Sequence, residues 1–183
     1  MNSYKNIIPP VGEIPGEKLK YWIYGKGGSG KTSRAISLAL EWSGNDQREI
    51  YKADLLTEGW CDGYSGQKVI IIDDFKWDGT HKTFRELLKL LDRYYAAVNV
   101  KSSSSIFQAT HVVVVSQDPP WEIWSPQWHM QFNKKKLNLA MIDSNEQLRQ
   151  IWRRLNRIEH LDVPLSQLNH PFLMNVNIKT DLK

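Results

Sequence analysis

Four glycines at positions 25, 27, 28 and 30, followed at once by Lys31 and Thr32, set out a place for a chain of phosphates. The run Gly25-Lys26-Gly27-Gly28-Ser29-Gly30-Lys31-Thr32 fits the spacing Gly-x-x-x-x-Gly-Lys-Thr of a phosphate-binding loop. A backbone with so little side chain can curl with its N–H groups inward, in conformations that a Cβ obstructs. In such a loop Lys31 reaches the β- and γ-phosphates and the Thr32 hydroxyl ligates Mg²⁺. A helix starting near Lys31 adds the positive end of its dipole. The chemistry on offer is the binding of a nucleoside triphosphate with its metal ion.

Further candidates follow along the chain. Val69-Ile70-Ile71-Ile72-Asp73-Asp74-Phe75 puts two acids at the end of an apolar run. Asp73 is expected to hold Mg²⁺ and Asp74 to orient an attacking water. Val112-Val113-Val114-Val115 ends in Ser116-Gln117. If its strand neighbours the one ending in Asp73, Gln117 can hydrogen-bond the γ-phosphate or the water. Arg153 and Arg154 offer positive charge to a transition state, with Arg149 and Arg153 on one helix flank and Arg154 on the other. Lys101, beside Ser102-Ser103-Ser104, suits a phosphate backbone.

These residues need a scaffold of strands and helices. Tyr21-Trp22-Ile23-Tyr24 reads as a strand before the glycine loop, and Ala35-Ile36-Ser37-Leu38-Ala39-Leu40 as a helix after it, to about Trp42. A flexible glycine linker would have neither neighbour. Glu49-Ile50-Tyr51-Lys52-Ala53 reads as a short strand. The runs at 69–72 and 112–115 are continuously apolar, as in parallel strands buried on both faces. Thr83-Phe84-Arg85-Glu86 predicts a capping box for a helix carrying Phe84, Leu87, Leu88, Leu91 and Tyr95 on one face. Ser144-Asn145-Glu146-Gln147 predicts another, for a helix burying Leu148, Ile151, Trp152 and Leu155. Val98–Lys101 and Ser105–Phe107 flank a serine-rich hairpin tip. The expected class is α/β with a central, mostly parallel sheet.

The 183 residues suggest one domain with its own core, and no apolar run approaches the roughly 20 residues of a membrane span. Cys61 is the single cysteine, which excludes an internal disulfide and a cysteine-rich zinc site. A net charge of +4 permits a nucleic-acid partner. The cluster Trp121, Trp124 and Trp128 reads as core and loop anchors rather than stacking platforms.

The order of motifs resembles a known family. The phosphate loop is followed by Trp60-Cys61-Asp62-Gly63-Tyr64, by Ile-Ile-Ile-Asp-Asp-Phe at 70–75, by the Leu-Leu-x-Leu-x-Asp-Arg-Tyr-like stretch at 87–94, by Val98 to Lys101, and by the apolar strand with Ser116, Pro120 and Trp124. This is similar to the helicase part of circovirus-type replication-associated proteins of small circular single-stranded DNA viruses, over about residues 21–158. The resemblance implies a superfamily 3 helicase of modified AAA+ fold, a ring of ATPases moving on DNA, with ATP and Mg²⁺ as cofactors. It implies that residues 25–32 are the Walker A loop, that Asp73 and Asp74 are Walker B, that Lys101 is the DNA-gripping hairpin lysine, and that Arg153 or Arg154 is the arginine finger. Gln117 stands where the family usually has Asn, moving the amide by a methylene. The implied partners are single-stranded DNA and copies of the same chain; for a viral protein the implied location is the host nucleus.

Pro9, Pro10, Pro15, Gly12 and Gly16 read as an extended lead-in (1–20), followed by the ATPase domain (21–160) and a tail of unknown role (161–183). Relatives also carry an endonuclease domain with a His-hydrophobe-His pair and a Tyr-x-x-Lys segment, and this sequence holds neither. The expectation is therefore a fragment, a split-gene product or a relic, with the endonuclease on a separate chain. Two other readings stay open: an RNA helicase of the same superfamily, and a non-catalytic ATP-binding regulator.

Overall fold

The structure is a computed structural model that describes residues 8–53, 61–100, 103–124, 139–161 and 175–177, without side-chain detail at 139–141 and 175–177. Its centre is a six-stranded sheet. The strands are β1 (Leu19–Tyr24), β2 (Ile50–Ala53), β3 (Val69–Phe75), β6 (His111–Ser116), β7 (Arg157–His160) and β8 (Asn175–Asn177), in the order β2-β3-β6-β1-β7-β8. The first five strands are mutually parallel, and β8 pairs antiparallel with β7. Two strands, β4 (Ala96–Val100) and β5 (Ser103–Phe107), form a separate antiparallel hairpin. The helices are α1 (Lys31–Ser43), α2 (His81–Leu91), α3 (Pro120–Trp124), α4 (Leu139–Ser144) and α5 (Glu146–Trp152).

The continuous apolar runs have a simple reason. Successive strand side chains point to opposite faces, and both faces are covered. Trp22, Tyr24, Ile70, Ile72, Val112 and Val114 face Leu87, Leu90, Trp124, Leu148 and Ile151 from α2, α3 and α5. Ile23, Val69, Ile71, Val113 and Val115 face Ala35, Leu38 and Ala39 of α1. A polar residue on either face of β3 or β6 would meet protein, so the valines and isoleucines run without alternation. Trp124 is buried in contact distance of Trp22, Phe75, Trp77 and Phe84.

Helix starts differ from the sequence expectation. The cap of α2 is Thr80, whose side chain accepts from the Thr83 amide, so Thr83 lies inside the first turn. Asp78 accepts from both the amide and the hydroxyl of Thr80, which fixes the cap three residues early. The helix stops at Leu91, and Tyr95 lies beyond it; Leu90, absent from the expected face, is buried instead. The cap of α5 is Asn145 rather than Ser144, because Ser144 still belongs to α4. Leu155 reaches the core from the turn after α5. In the hairpin, Val100 pairs with Ser103, so Ser103 and Ser104 belong to β5 rather than to the tip. Lys101, like Trp60 and Trp128, lies outside the described residues.

Asn145 joins two elements. It accepts from the Leu148 amide at 2.9 Å and donates to the Trp124 carbonyl at 3.0 Å. Asn145→Ala removes the cap and strands that carbonyl. Chemical denaturation should show a loss of about 1–2 kcal/mol; a loss below about 0.3 kcal/mol would contradict the capping role.

Candidate nucleotide and metal site

The glycine loop leaves the carboxyl end of β1 and enters α1. Gly25, at φ 150°, is held against the residue that follows β7: a Cβ there would lie 1.9 Å from the Leu161 carbonyl oxygen. Leu161 in turn donates its amide to the Tyr24 carbonyl at 2.8 Å, which clamps the start of the loop. Gly30 sits in the left-handed region at φ 86° as N-cap of α1, and no side chain caps that helix. The first-turn N–H groups therefore have no side-chain acceptor, which suits a phosphate oxygen. Ser29 is 3% exposed and its Oγ has no hydrogen-bond partner among the described residues. An orphaned donor in an uncapped glycine loop fits a phosphate chain. Lys31 donates Nζ to the carbonyls of Gly25 (2.8 Å) and Lys26 (2.7 Å), so its ammonium lies over the loop. Burial draws the Lys31 pKa down, against the opposing pull of Asp74 and Asp73.

Asp73 meets the loop directly. Thr32 Oγ1 donates to Asp73 Oδ1 at 3.0 Å, linking α1 to the end of β3 across 41 residues of sequence. The Asp74 amide donates to the same oxygen at 3.1 Å, and Lys52 Nζ stands 2.7 Å from Oδ2. Burial raises the Asp73 carboxyl, but the Lys52, Thr32 and Asp74 contacts outweigh it and hold it below the usual carboxylate range. Among the described residues no group of three or more His, Cys, Asp or Glu could hold a metal. Thr32 and Asp73 are the residues that would hold a metal here, and Mg²⁺ would complete its shell with phosphate and water oxygens.

Asp74 sits on a bulge: the β3–β6 register shifts between Ile72 and Phe75. Its φ is 49°, left-handed for a non-glycine residue, a conformation Asp and Asn tolerate best. The exposed carboxylate is paired with Lys76 at 3.0 Å. Asp74→Asn keeps the backbone conformation while removing the charge. MgATP affinity should stay within about twofold and turnover should fall about 10²-fold or more. Equal losses of binding and turnover would place Asp74 on the metal instead.

Strand β6 lies between β3 and β1, which brings Ser116 and Gln117 to the same edge as Asp73 and the loop. Ser116 is buried, donating to the Phe75 carbonyl at 3.0 Å and accepting from the Asp118 amide at 3.3 Å. Gln117 is exposed and lines a cleft of about 300 Å³ with Lys76, Trp77 and Ile123. Of the two residues, Gln117 has the side chain free to turn toward a ligand.

The arginines lie at the opposite end of the sheet. Arg153 and Arg154 line a cleft of about 540 Å³ with Lys18, Lys20, Arg93 and Asn156. Lys18 and Lys20 flank the amino end of β1, and Asn156 exchanges two 2.8 Å hydrogen bonds with the Lys20 backbone just before β7. The glycine loop is at the carboxyl end of β1, about 16 Å along the strand from Lys20. The pair is also divided. Arg154 donates to Asp92 Oδ2 at 2.8 and 3.3 Å and to the Gln150 carbonyl at 2.9 Å. Arg153, at the carboxyl end of α5, is exposed. Arg149 pairs with Glu146 on its own helix.

Three residues of these sites escaped sequence reasoning. Lys52 is on an edge strand, and its meeting with Asp73 depends on the β2–β3 register. Asp92 pairs with a residue 62 positions away. Lys20 carries a buried ammonium that donates to the Ala109 carbonyl at 3.3 Å; burial, then Lys18, lowers its pKa to about 7. The Asp92 segment was visible as a motif, without a role; nothing in the sequence singles out Lys52.

A mostly parallel sheet, a glycine loop between β1 and α1, and an acid-tipped strand two places from β1 in that sheet define an α/β P-loop NTPase fold. The pattern of a family described as "RNA helicase" matches residues 21–117, more than half of the chain, and the chain belongs to that family. It is also similar to the "Replication-associated protein" of Beak and feather disease virus, 34% identical over 105 residues, covering 56% of this chain and 30% of that protein. With the "Replication-associated protein" of Porcine circovirus 2 it shares 37% identity over 70 residues, 36% of this chain and 20% of that protein. The resemblance to circovirus-type replication-associated proteins is thus borne out, and the chain spans no more than about a third of the length of the relatives it matches. Among solved structures, the S. cerevisiae Hsp104-ADP complex matches with TM-score 0.49 and 14% identity, over 79% of this chain and 24% of that one. No described helix is long and apolar enough to cross a membrane.

Proposed function

We propose that this chain is the ATPase module of a viral replication helicase, coupling MgATP hydrolysis to movement along single-stranded DNA. The observation that carries the reading is the 3.0 Å bond from Thr32 to Asp73, which joins the glycine-loop helix to the acid-tipped strand. Residues 25–32 cradle the phosphates, with Lys31 turning from the loop carbonyls to the β- and γ-oxygens. Mg²⁺, held by Thr32 and through water by Asp73, supplies charge neutralisation when bound. Asp74 orients the attacking water, and Gln117 contacts the γ-phosphate or that water.

The positions of Arg153 and Arg154, about a strand's length from the chain's own loop, favour action on a neighbouring subunit. Arg153 extends to the neighbour's γ-phosphate, while the Asp92 pair holds Arg154 as its support. A ring of identical chains satisfies every loop in this way. Lys101, which falls between β4 and β5 in the sequence, grips the DNA backbone, and the module works in the host nucleus.

The family's description favours RNA as the alternative strand. ATPase stimulation by single-stranded DNA and by RNA of the same sequence separates the two, DNA being the expected stimulator. In the same assay format, Lys101→Ala should weaken DNA binding equally for all sequences, with a salt slope shallower by roughly 0.7 for each phosphate that is no longer neutralised. Unchanged affinity and slope would remove Lys101 from the DNA interface.

A further inference from the structure

We propose that Lys52 is a built-in counter-ion of the metal-binding carboxylate, a cation that a divalent ion must displace from Asp73. The proposal rests on the reading of Asp73 as the carboxylate on the metal side. Asp73 has two oxygens and three donors. Oδ1 takes the Thr32 hydroxyl and the Asp74 amide, at 3.0 and 3.1 Å. Oδ2 takes Lys52 Nζ, at 2.7 Å. The first two donors are compatible with a metal, since the Thr32 oxygen keeps lone pairs free while it donates its proton's hydrogen bond to Asp73. Lys52 is not compatible. Its charge sits at hydrogen-bond distance from the oxygen left to receive a metal-bound water, where a divalent ion and an ammonium repel.

The exposures show which partner moves. The Asp73 side chain is 15% exposed and pinned by Thr32, whereas the Lys52 side chain is 62% exposed. Lys52 comes from edge strand β2, with its neighbour Ala53 paired to Ile72 one residue before Asp73. The long stem can swing into solvent without disturbing the sheet. The adjacent acid has a separate lysine, since Asp74 pairs with Lys76 at 3.0 Å. Each carboxylate of the Asp-Asp pair thus carries its own ammonium, which offsets the mutual repulsion of the two acids. Divalent binding at Asp73 exchanges one cation for another and leaves the Asp74 pair in place. Lys52 thereby sets the divalent concentration at which the site loads.

The test is the binding of a fluorescent ATP analogue at fixed concentration, titrated with Mg²⁺ and separately with Mn²⁺. Wild type, Lys52→Met, Lys52→Arg and Asp73→Asn are compared, each checked for folding by circular dichroism. Lys52→Met should lower the Mg²⁺ midpoint about two- to fivefold, the range of a largely exposed ion pair. Lys52→Arg, which keeps the charge, should stay near wild type. Asp73→Asn should raise the midpoint or abolish the metal dependence. An unchanged midpoint in Lys52→Met, with Asp73→Asn impaired, overturns the counter-ion role alone. A raised midpoint in Lys52→Met overturns it too, by making Lys52 a helper of nucleotide binding. A wild-type midpoint in Asp73→Asn overturns the metal reading of Asp73, and the Lys52 proposal with it.

Discussion

An Arg153→Ala variant should lose about 10³–10⁵-fold in ATP turnover while binding MgATP within a few fold of wild type. Arg153 is exposed at the end of α5, in a cleft at the amino ends of β1 and β7. The glycine loop opens at the carboxyl end of β1. A side chain at one end of a strand cannot serve a phosphate at the other, so on the proposed reading Arg153 would act on the loop of another copy. Arg154→Ala should act differently. Its guanidinium ties the end of α2 to α5 through Asp92 and the Gln150 carbonyl. Burial raises the Asp92 carboxyl, yet the Arg154 contact prevails and holds it below the usual range. Loss of Arg154 should therefore cost stability as well as rate. Mixing Arg153→Ala with Lys31→Ala chains decides the direction of action. Some interfaces then pair an intact loop with an intact arginine, and part of the activity should return. Recovery absent at every ratio, or turnover per chain independent of concentration in a monomer, rules out action in trans.

Lys31→Ala is the second large effect expected. No other loop residue offers a charge at that position: Lys26 contributes its carbonyl to Lys31, and the other loop positions are glycines, Ser29 and Thr32. Loss of one charge placed on transferring phosphates should reduce turnover by about 10²–10³-fold, with weaker nucleotide binding as well. The fold should survive, because the ammonium hydrogen-bonds the loop carbonyls of Gly25 and Lys26 and Lys31 is not among the buried core residues. A Lys31→Ala chain with wild-type ATPase activity would remove the loop from the active site.

The scaffold was more legible than the contacts made on it. Val69-Ile70-Ile71-Ile72 and Val112-Val113-Val114-Val115 announced parallel strands because burial on both faces erases alternation, and that signal is local. The adjacency of β3 and β6, a condition for Gln117 to reach the site, is a matter of strand order and is not written in either strand's own residues. Helix caps were misplaced by one to three residues. Thr80, Thr83, Ser144 and Asn145 all have cap chemistry, and the choice is made by Asp78 in one case and by the end of α4 in the other. The different settings of Arg153 and Arg154 were hidden because they depend on Asp92, far off in sequence. Lys52 was hidden for the same kind of reason: only strand pairing puts an edge lysine beside Asp73.

The central claim is that residues 25–32 and Asp73 form one site for a triphosphate with its metal ion. Calorimetric titration of the wild-type chain with ATP, in Mg²⁺ and again in EDTA, tests it most directly. The account predicts one saturable site per chain, with affinity markedly stronger in Mg²⁺ because Thr32 and Asp73 engage the metal only when it is present. Absence of saturable binding by the folded chain, or equal affinity with and without Mg²⁺, would contradict it.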